Sequence, residues 1–252
     1  MRLELSRSPE DVRELMRQNL RSANADDVIR DHVRVVLGAQ PYKHNHFSPD
    51  EFFFFDPAHG VIRNVYGQRL LRSGENFIRS MIETLVQELG GEEAGALLYE
   101  CGFSWGAADM RAYSKRVQQE YETQFEKLRM GMMLESWWWP LRAAGWGVWR
   151  YDFRHGQHGL ILIDLQNSVM AHAQPGAGRP VCQLYAGLFA AAFSHLAHRE
   201  LAGLELNCAA QGSDRCRFLV TTEKRTQNAL GWRDQGVPIE DILNRLIASV
   251  PA

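Results

Sequence analysis

Cys208 and Cys216 stand eight residues apart around Gly212-Ser213-Asp214, and this spacing constrains the 252-residue chain more than any other feature. Leu204-Glu205-Leu206-Asn207-Cys208 and Cys216-Arg217-Phe218-Leu219-Val220 alternate apolar and polar side chains on either side of that turn, as two short paired strands do. Glu205 lies three positions before Cys208, so a regular strand would send the two side chains to opposite faces. Only a bend or bulge turns both toward one point. Cys182, at the start of a long apolar run, supplies a fourth donor from a distant element. The residues alone leave three readings open. They form a closed tetrahedral metal site, a set of small buried hydrophobes, or a Cys208–Cys216 disulfide that a reducing compartment disfavours. Cys101 has no partner and reads as a buried thiol.

Composition narrows the function classes. With 45% apolar and 23% charged residues, the chain can bury a full core. A formal net charge of −2 gives no global basic field to gather phosphates, which argues against direct nucleic-acid binding. No stretch reaches the roughly 18 apolar residues that spanning a bilayer needs, and Met1-Arg2-Leu3-Glu4 opens no secretory signal. A cytoplasmic protein is expected.

The pattern divides the chain into an N-terminal helical extension over residues 1–48, a main domain over 49–224 and a helical tail over 225–252. In the extension, Ser8-Pro9-Glu10-Asp11 opens a helix to about Leu20, and a second runs from about Ala25 to Leu37. The main domain begins with a predicted hairpin, Glu51–Phe55 against Gly60–Tyr66. Helices follow over Phe77–Leu89, over Glu92–Lys115 with interruptions near Gly102 and Gly106, and over Val117–Leu128. Trp146–Phe153 and Leu160–Leu165 read as a second hairpin, Pro180–His198 as a buried helix, and Ile239–Ala248 as a final helix. The fold class is α+β, a small antiparallel sheet covered by helices.

The run Cys182, then Glu205-Leu-Asn-Cys208-Ala-Ala-Gln-Gly212-Ser-Asp-Arg-Cys216-Arg-Phe218, resembles the signature of the 4-vinyl reductase domain. That family includes the sensor domains of phenol- and xylene-responsive transcriptional activators. Gly145-Trp146-Gly147, Asn167-Ser168, Pro180-Val181-Cys182 and Gly102–Ala108 extend the similarity over roughly residues 60–222. The resemblance implies the ligand-binding fold shared by nitric-oxide signalling and Golgi-transport proteins, a structural Zn²⁺ on Cys182, Glu205, Cys208 and Cys216, a small-molecule cavity, and a homodimer. It also implies a limit. The aromatic-sensing regulators carry a His in the segment corresponding to Met132–Glu135 and a Trp in the strand corresponding to Leu160–Asp164, and this chain has neither. A ligand larger or less polar than phenol is expected.

Trp137-Trp138-Trp139 follows a methionine-rich turn that includes Met132. On a helix the three indoles point about 100° apart and cannot share a face. They serve either as core or as the lining of a flat apolar cavity, with Phe103, Trp105, Tyr185, Phe189 and Phe193 as opposite walls. The pairs His44/His46, His155/His158 and His195/His198 lack a third ligand at a recognisable spacing. No Gly-x-Gly-x-x-Gly follows a strand and no Gly-x-Ser-x-Gly elbow occurs, so no catalytic residue is assigned. The expected role is a zinc-stabilised sensor or carrier for a hydrophobic, aromatic or planar molecule, working through a separate regulatory or enzyme partner. A tetrapyrrole-related reductase or carrier, and a dimeric assembly scaffold, are the alternatives that the resemblance keeps open.

Overall fold

The computed structural model describes residues 2–3, 49–64, 66–121, 124–128 and 130–249. The two helices expected up to Leu37, and His44 and His46, lie outside the described residues. Two compact units emerge, one comprising Met1–Leu3, Gly74–Met110 and Trp146–Ala252, the other Glu4–Ser73 and Arg111–Gly145.

The first unit is built on a five-stranded antiparallel sheet: β1 (Arg2–Leu3), β5 (Val148–Asp152), β6 (Ile161–Gln166), β8 (Cys216–Thr221) and β7 (Ala202–Asn207), in that spatial order. Both predicted hairpins of this region are present, β5 against β6 and β7 against β8. Strand alternation separates two faces. Trp149, Tyr151 and Phe218 meet Tyr185, Phe189 and Phe193 of helix α6 (Gln183–Ala197) in a chain of ring contacts with centroids 5.2–6.4 Å apart. Leu162 and Leu219 point the other way, into a cluster with Ile242, Leu243 and Leu246. Those last three belong to α8 (Ile239–Ala248), which follows α7 (Glu223–Asp234). Arg225 fastens this layer, donating to the carbonyls of His158 at 2.6 Å and Leu246 at 2.7 Å.

Helices α2 (Glu75–Leu89) and α3 (Gly91–Tyr121) follow one another in the chain. The expected breaks at Gly102 and Gly106 do not occur, because α3 is continuous. These glycines are contact points instead. A Cβ on Gly102 would stand 1.9 Å from the Leu184 carbonyl oxygen, and one on Gly187 would stand 2.0 Å from that of Tyr99. Backbone therefore packs on backbone where α3 crosses α6, a distance only glycine allows.

In the second unit, α1 (Pro49–Phe52) leads into the sheet β2 (Phe53–Asp56), β3 (Val61–Asn64) and β4 (Arg69–Leu70), so the predicted hairpin forms and gains a third strand. Asn64 Oδ1 accepts from the backbone N–H groups of Tyr66 and Gln68 and shapes the second turn. Helix α4 (Met130–Ala143) carries the three indoles.

Gly102→Ala is expected to destabilise the protein by more than the roughly 1–3 kcal/mol typical of overpacking, since the clash is with backbone. Gly145→Ala, where a Cβ would meet nothing within 4 Å, is the control for backbone strain alone at its φ of +89°. Denaturant unfolding of both variants measures the difference, and equal losses would contradict the close approach.

Candidate metal centre

Four acidic or thiol side chains converge in the first unit. One donor atom from each of Cys182, Glu205, Cys208 and Cys216 lies within 4.8 Å of all the others, and all four residues are buried. The local structure explains the convergence. Cys182 is the N-cap of α6, Cys216 opens β8, and Cys208 sits between β7 and a short 3₁₀ turn, Ala209–Gln211. Glu205 pairs with Phe218 and Asn207 with Arg217, a register shift that leaves one extra residue on β7. This bulge is the irregularity the sequence parity demands. It keeps Glu205 on the α6 face while swinging Cys208 onto that same face beside Cys216.

The three sulfurs form a nearly equilateral triangle with edges of 3.8, 3.6 and 3.6 Å. All are free thiols, far beyond the roughly 2.05 Å of a disulfide. An ion held tetrahedrally at the usual metal–thiolate distance of about 2.3 Å requires sulfur–sulfur edges of about 3.8 Å. Glu205 completes the fit. Its Oε2 accepts from the Cys182 backbone N–H at 2.7 Å, while its Oε1 is buried with no hydrogen-bond partner. Such an orphaned carboxylate oxygen beside three thiols is suited to a cation. The cluster could hold a metal ion with four protein donors and no open coordination position.

Surrounding groups fix the donors. Ser168 caps the short helix α5 (Val169–Ala173) by accepting from the Ala171 N–H, and its hydroxyl also lies 3.2 Å from Cys182 Sγ. Ala209 N–H donates to Cys216 Sγ at 3.3 Å. Arg233 of α7 donates to the Glu205 carbonyl at 2.8 Å, holding the bulged strand from the opposite layer. Sequence reasoning assigns neither Ser168 nor Arg233 a role. The Asn167-Ser168 motif is a usable signal for the first, and nothing local marks the second.

Electrostatics describe the site without an ion. Burial, reinforced by the two neighbouring sulfurs, pushes the Cys182 thiol well above its ordinary range. Burial together with Cys208 does the same to the Glu205 carboxyl. Cys208 goes to about 2, because Cys182 and Cys216 both hydrogen-bond toward its sulfur. For Cys216 the contact with Cys182 pulls down, but Cys208, burial and Glu205 outweigh it and the net shift is upward. The shifts thus run in opposite directions, Cys208 toward its thiolate and Cys182, Cys216 and Glu205 toward their protonated forms.

The remaining candidates fall into the two units separately. Tyr185, Phe189 and Phe193 are fully packed in the aromatic layer. Phe103 is half-buried, stacks on Tyr99 and lines a groove of about 510 Å³ with Glu200, Gly203 and Glu223. Trp105, also half-buried, lies 4.9 Å from Trp146. In the second unit Trp137, Trp138 and Trp139 are all buried, with Trp139 against Phe52 and Arg142 over Trp138. Met132 is on the same helix. Cys101 is exposed, not buried, because α3 turns that position to solvent while Gly102 meets α6. Among the described residues no histidine joins a group of three or more potential ligands, and no helix is long and apolar enough to cross a membrane.

A four-donor cluster on an antiparallel hairpin beside a helix that backs the sheet is the geometry to set against known proteins. Residues 161–222, which contain all four donors, match the 4-vinyl reductase domain, and residues 50–138 match the family described as activator of aromatic catabolism. The chain's fold is that of the phenol-responsive sensory domain of the transcription activator PoxR, solved with phenol. That structure matches at a TM-score of 0.57 and 19% identity, over 83% of this chain and 96% of the other. No curated protein matches the chain.

Because bound metal must displace the protons on Cys182, Glu205 and Cys216, affinity is expected to rise with pH and to fall as the donors reprotonate. Titration calorimetry with Zn²⁺ in buffers of different ionisation enthalpy should report net proton release. Binding with no proton release would contradict the charge state described.

Proposed function

We propose that the chain is a zinc-stabilised module that binds a small hydrophobic or aromatic molecule and passes the signal to, or delivers the molecule to, a separate partner. The observation that carries this reading is the triangle of sulfurs closed by a buried, orphaned carboxylate oxygen at the N-cap of α6. Three thiolates and one carboxylate suit Zn²⁺ better than the harder Mg²⁺ or Ca²⁺. Such an ion would supply folding energy, tying the β7–β8 hairpin to the helix whose next turns present Tyr185, Phe189 and Phe193.

The ligand class is supported by the family description that covers residues 50–138 and by the phenol bound to the PoxR sensory domain. The chemistry of this chain favours something less polar than phenol. Met133 stands in the segment where the sensors carry histidine, and Leu160–Asp164 offers no indole N–H. An apolar aromatic or larger planar molecule would lose little on entering such a site, whereas a buried hydroxyl without a partner would cost about 1–3 kcal/mol. The module works as a homodimer in the cytoplasm on this reading.

Cys208→Ser should remove the metal and cost roughly 5 kcal/mol, about 10 °C or more in Tm, or leave the protein insoluble. Cys101→Ser, at an exposed thiol, should melt like the parent. Metal analysis with thermal melting checks both, and a Cys208→Ser protein that melts normally would remove the structural-zinc reading. In a ligand panel, apolar aromatics at about a hundredfold over Kd should stabilise the protein by about 2.7 kcal/mol, more than phenol does. Phenol as the strongest stabiliser would reverse the ligand assignment.

A further inference from the structure

Strand β7 is one edge of the five-stranded sheet, so alternate backbone groups along it have no strand to pair with. Side chains take two of them. The Gly203 N–H donates to the Tyr99 hydroxyl at 3.2 Å, and the Glu205 carbonyl accepts from Arg233 at 2.8 Å. Tyr99 belongs to the turn of α3 that is pressed onto α6: a Cβ on Gly187 would stand 2.0 Å from the Tyr99 carbonyl oxygen and 2.7 Å from the Phe103 nitrogen. Gly203 is seated on α6 as well, since a Cβ there would stand 2.1 Å from the Ala186 carbonyl oxygen. The rings of Tyr99 and Phe103, one helical turn apart, stack with centroids 6.5 Å apart and planes inclined by 25°. Close backbone contacts thus hold the edge strand and the ring pair in one arrangement.

The groove of about 510 Å³ lies beside them, lined by Tyr99, Phe103, Glu200, Leu201, Gly203 and Glu223, all within the first unit. Its charged lining groups are the two carboxylates, both exposed, and neither forms an ion pair among the described residues. Glu223 accepts only a neutral donor there, Gln227 Nε2 at 3.1 Å. The neighbouring basic residues turn elsewhere. Arg225 donates to the His158 and Leu246 carbonyls, and Arg199 reaches the turn at Gly159, where a Cβ would stand 3.6 Å from its Nη2. Burial raises the Tyr99 phenol, with the Gly203 N–H opposing the shift and Glu100 and Glu223 reinforcing it, so the ring beside the carboxylates is uncharged.

We propose that this groove is a ligand site for a small organic ammonium ion, its charge taken by Glu200 and Glu223 and by the faces of Tyr99 and Phe103, its hydrocarbon by Leu201. Charge complementarity selects a cation, and the rings select an organic one. An ammonium group gains from both carboxylate and aromatic face, whereas Ca²⁺ needs six to eight oxygens and would leave the rings unused. The site goes beyond the zinc and aromatic-ligand reading and does not depend on it.

Amide chemical shifts of the full chain, titrated with butylammonium chloride at constant ionic strength, test the site. The parent should saturate with a Kd below about 10 mM, and butan-1-ol, of the same size without the charge, should bind at least about tenfold more weakly. Glu200→Gln with Glu223→Gln should raise the butylammonium Kd about tenfold, and Phe103→Leu about threefold. Circular dichroism and melting establish that the variants are folded, and a double variant that fails to fold is replaced by the two single substitutions. Butylammonium that does not saturate, butan-1-ol that binds as well, or a Kd indifferent to either set of substitutions overturns the site.

Discussion

Three sulfurs and a carboxylate, all buried within 4.8 Å of one another, are the constraint on which the first unit depends. Elements far apart in sequence meet there: the start of α6, the bulged end of β7 and the first residue of β8. Without a cation, burial pushes the Cys182 thiol and the Glu205 carboxyl toward their protonated forms and leaves Glu205 Oε1 buried without a partner. A cation would reverse both penalties, and its binding would then be coupled to the order of the hairpin and of the helix that backs the sheet.

That coupling runs directly into the aromatic layer. Tyr185 lies one turn beyond Cys182, donates to the Trp146 carbonyl, and stands 6.2 Å from both Trp149 and Phe189 and 6.4 Å from Phe218. Burial pushes its phenol well above the ordinary range. The metal centre and the aromatic packing thus share one helix, and the sheet between them and the C-terminal helices is gripped from the other side by Arg225 and Arg233.

Much of this is legible in the chain. The parity of Glu205 and Cys208 requires a bulge, and the register shift lies between Glu205 and Asn207. Alternation locates both hairpins of the main sheet, and the helix Ile239–Ala248 ends where the pattern ends. These signals are local. What is not legible is tertiary: Gly102 and Gly106 read as helix breaks when they are the places where α3 meets the backbone of α6. Cys101, lacking a partner in the sequence, reads as a buried thiol, but helical periodicity turns it outward. Three consecutive indoles cannot share one face, and nothing in the spacing foretells that all three are buried. Arg233 bonds to Glu205 across a sheet, a contact no sequence window contains.

X-ray absorption at the zinc edge on the protein as purified addresses the central claim most directly. The account predicts one zinc per chain with three sulfur neighbours at about 2.3 Å and one oxygen at about 2.0–2.2 Å. A folded protein free of metal, or a zinc bound through nitrogen with fewer than three sulfurs, would contradict it.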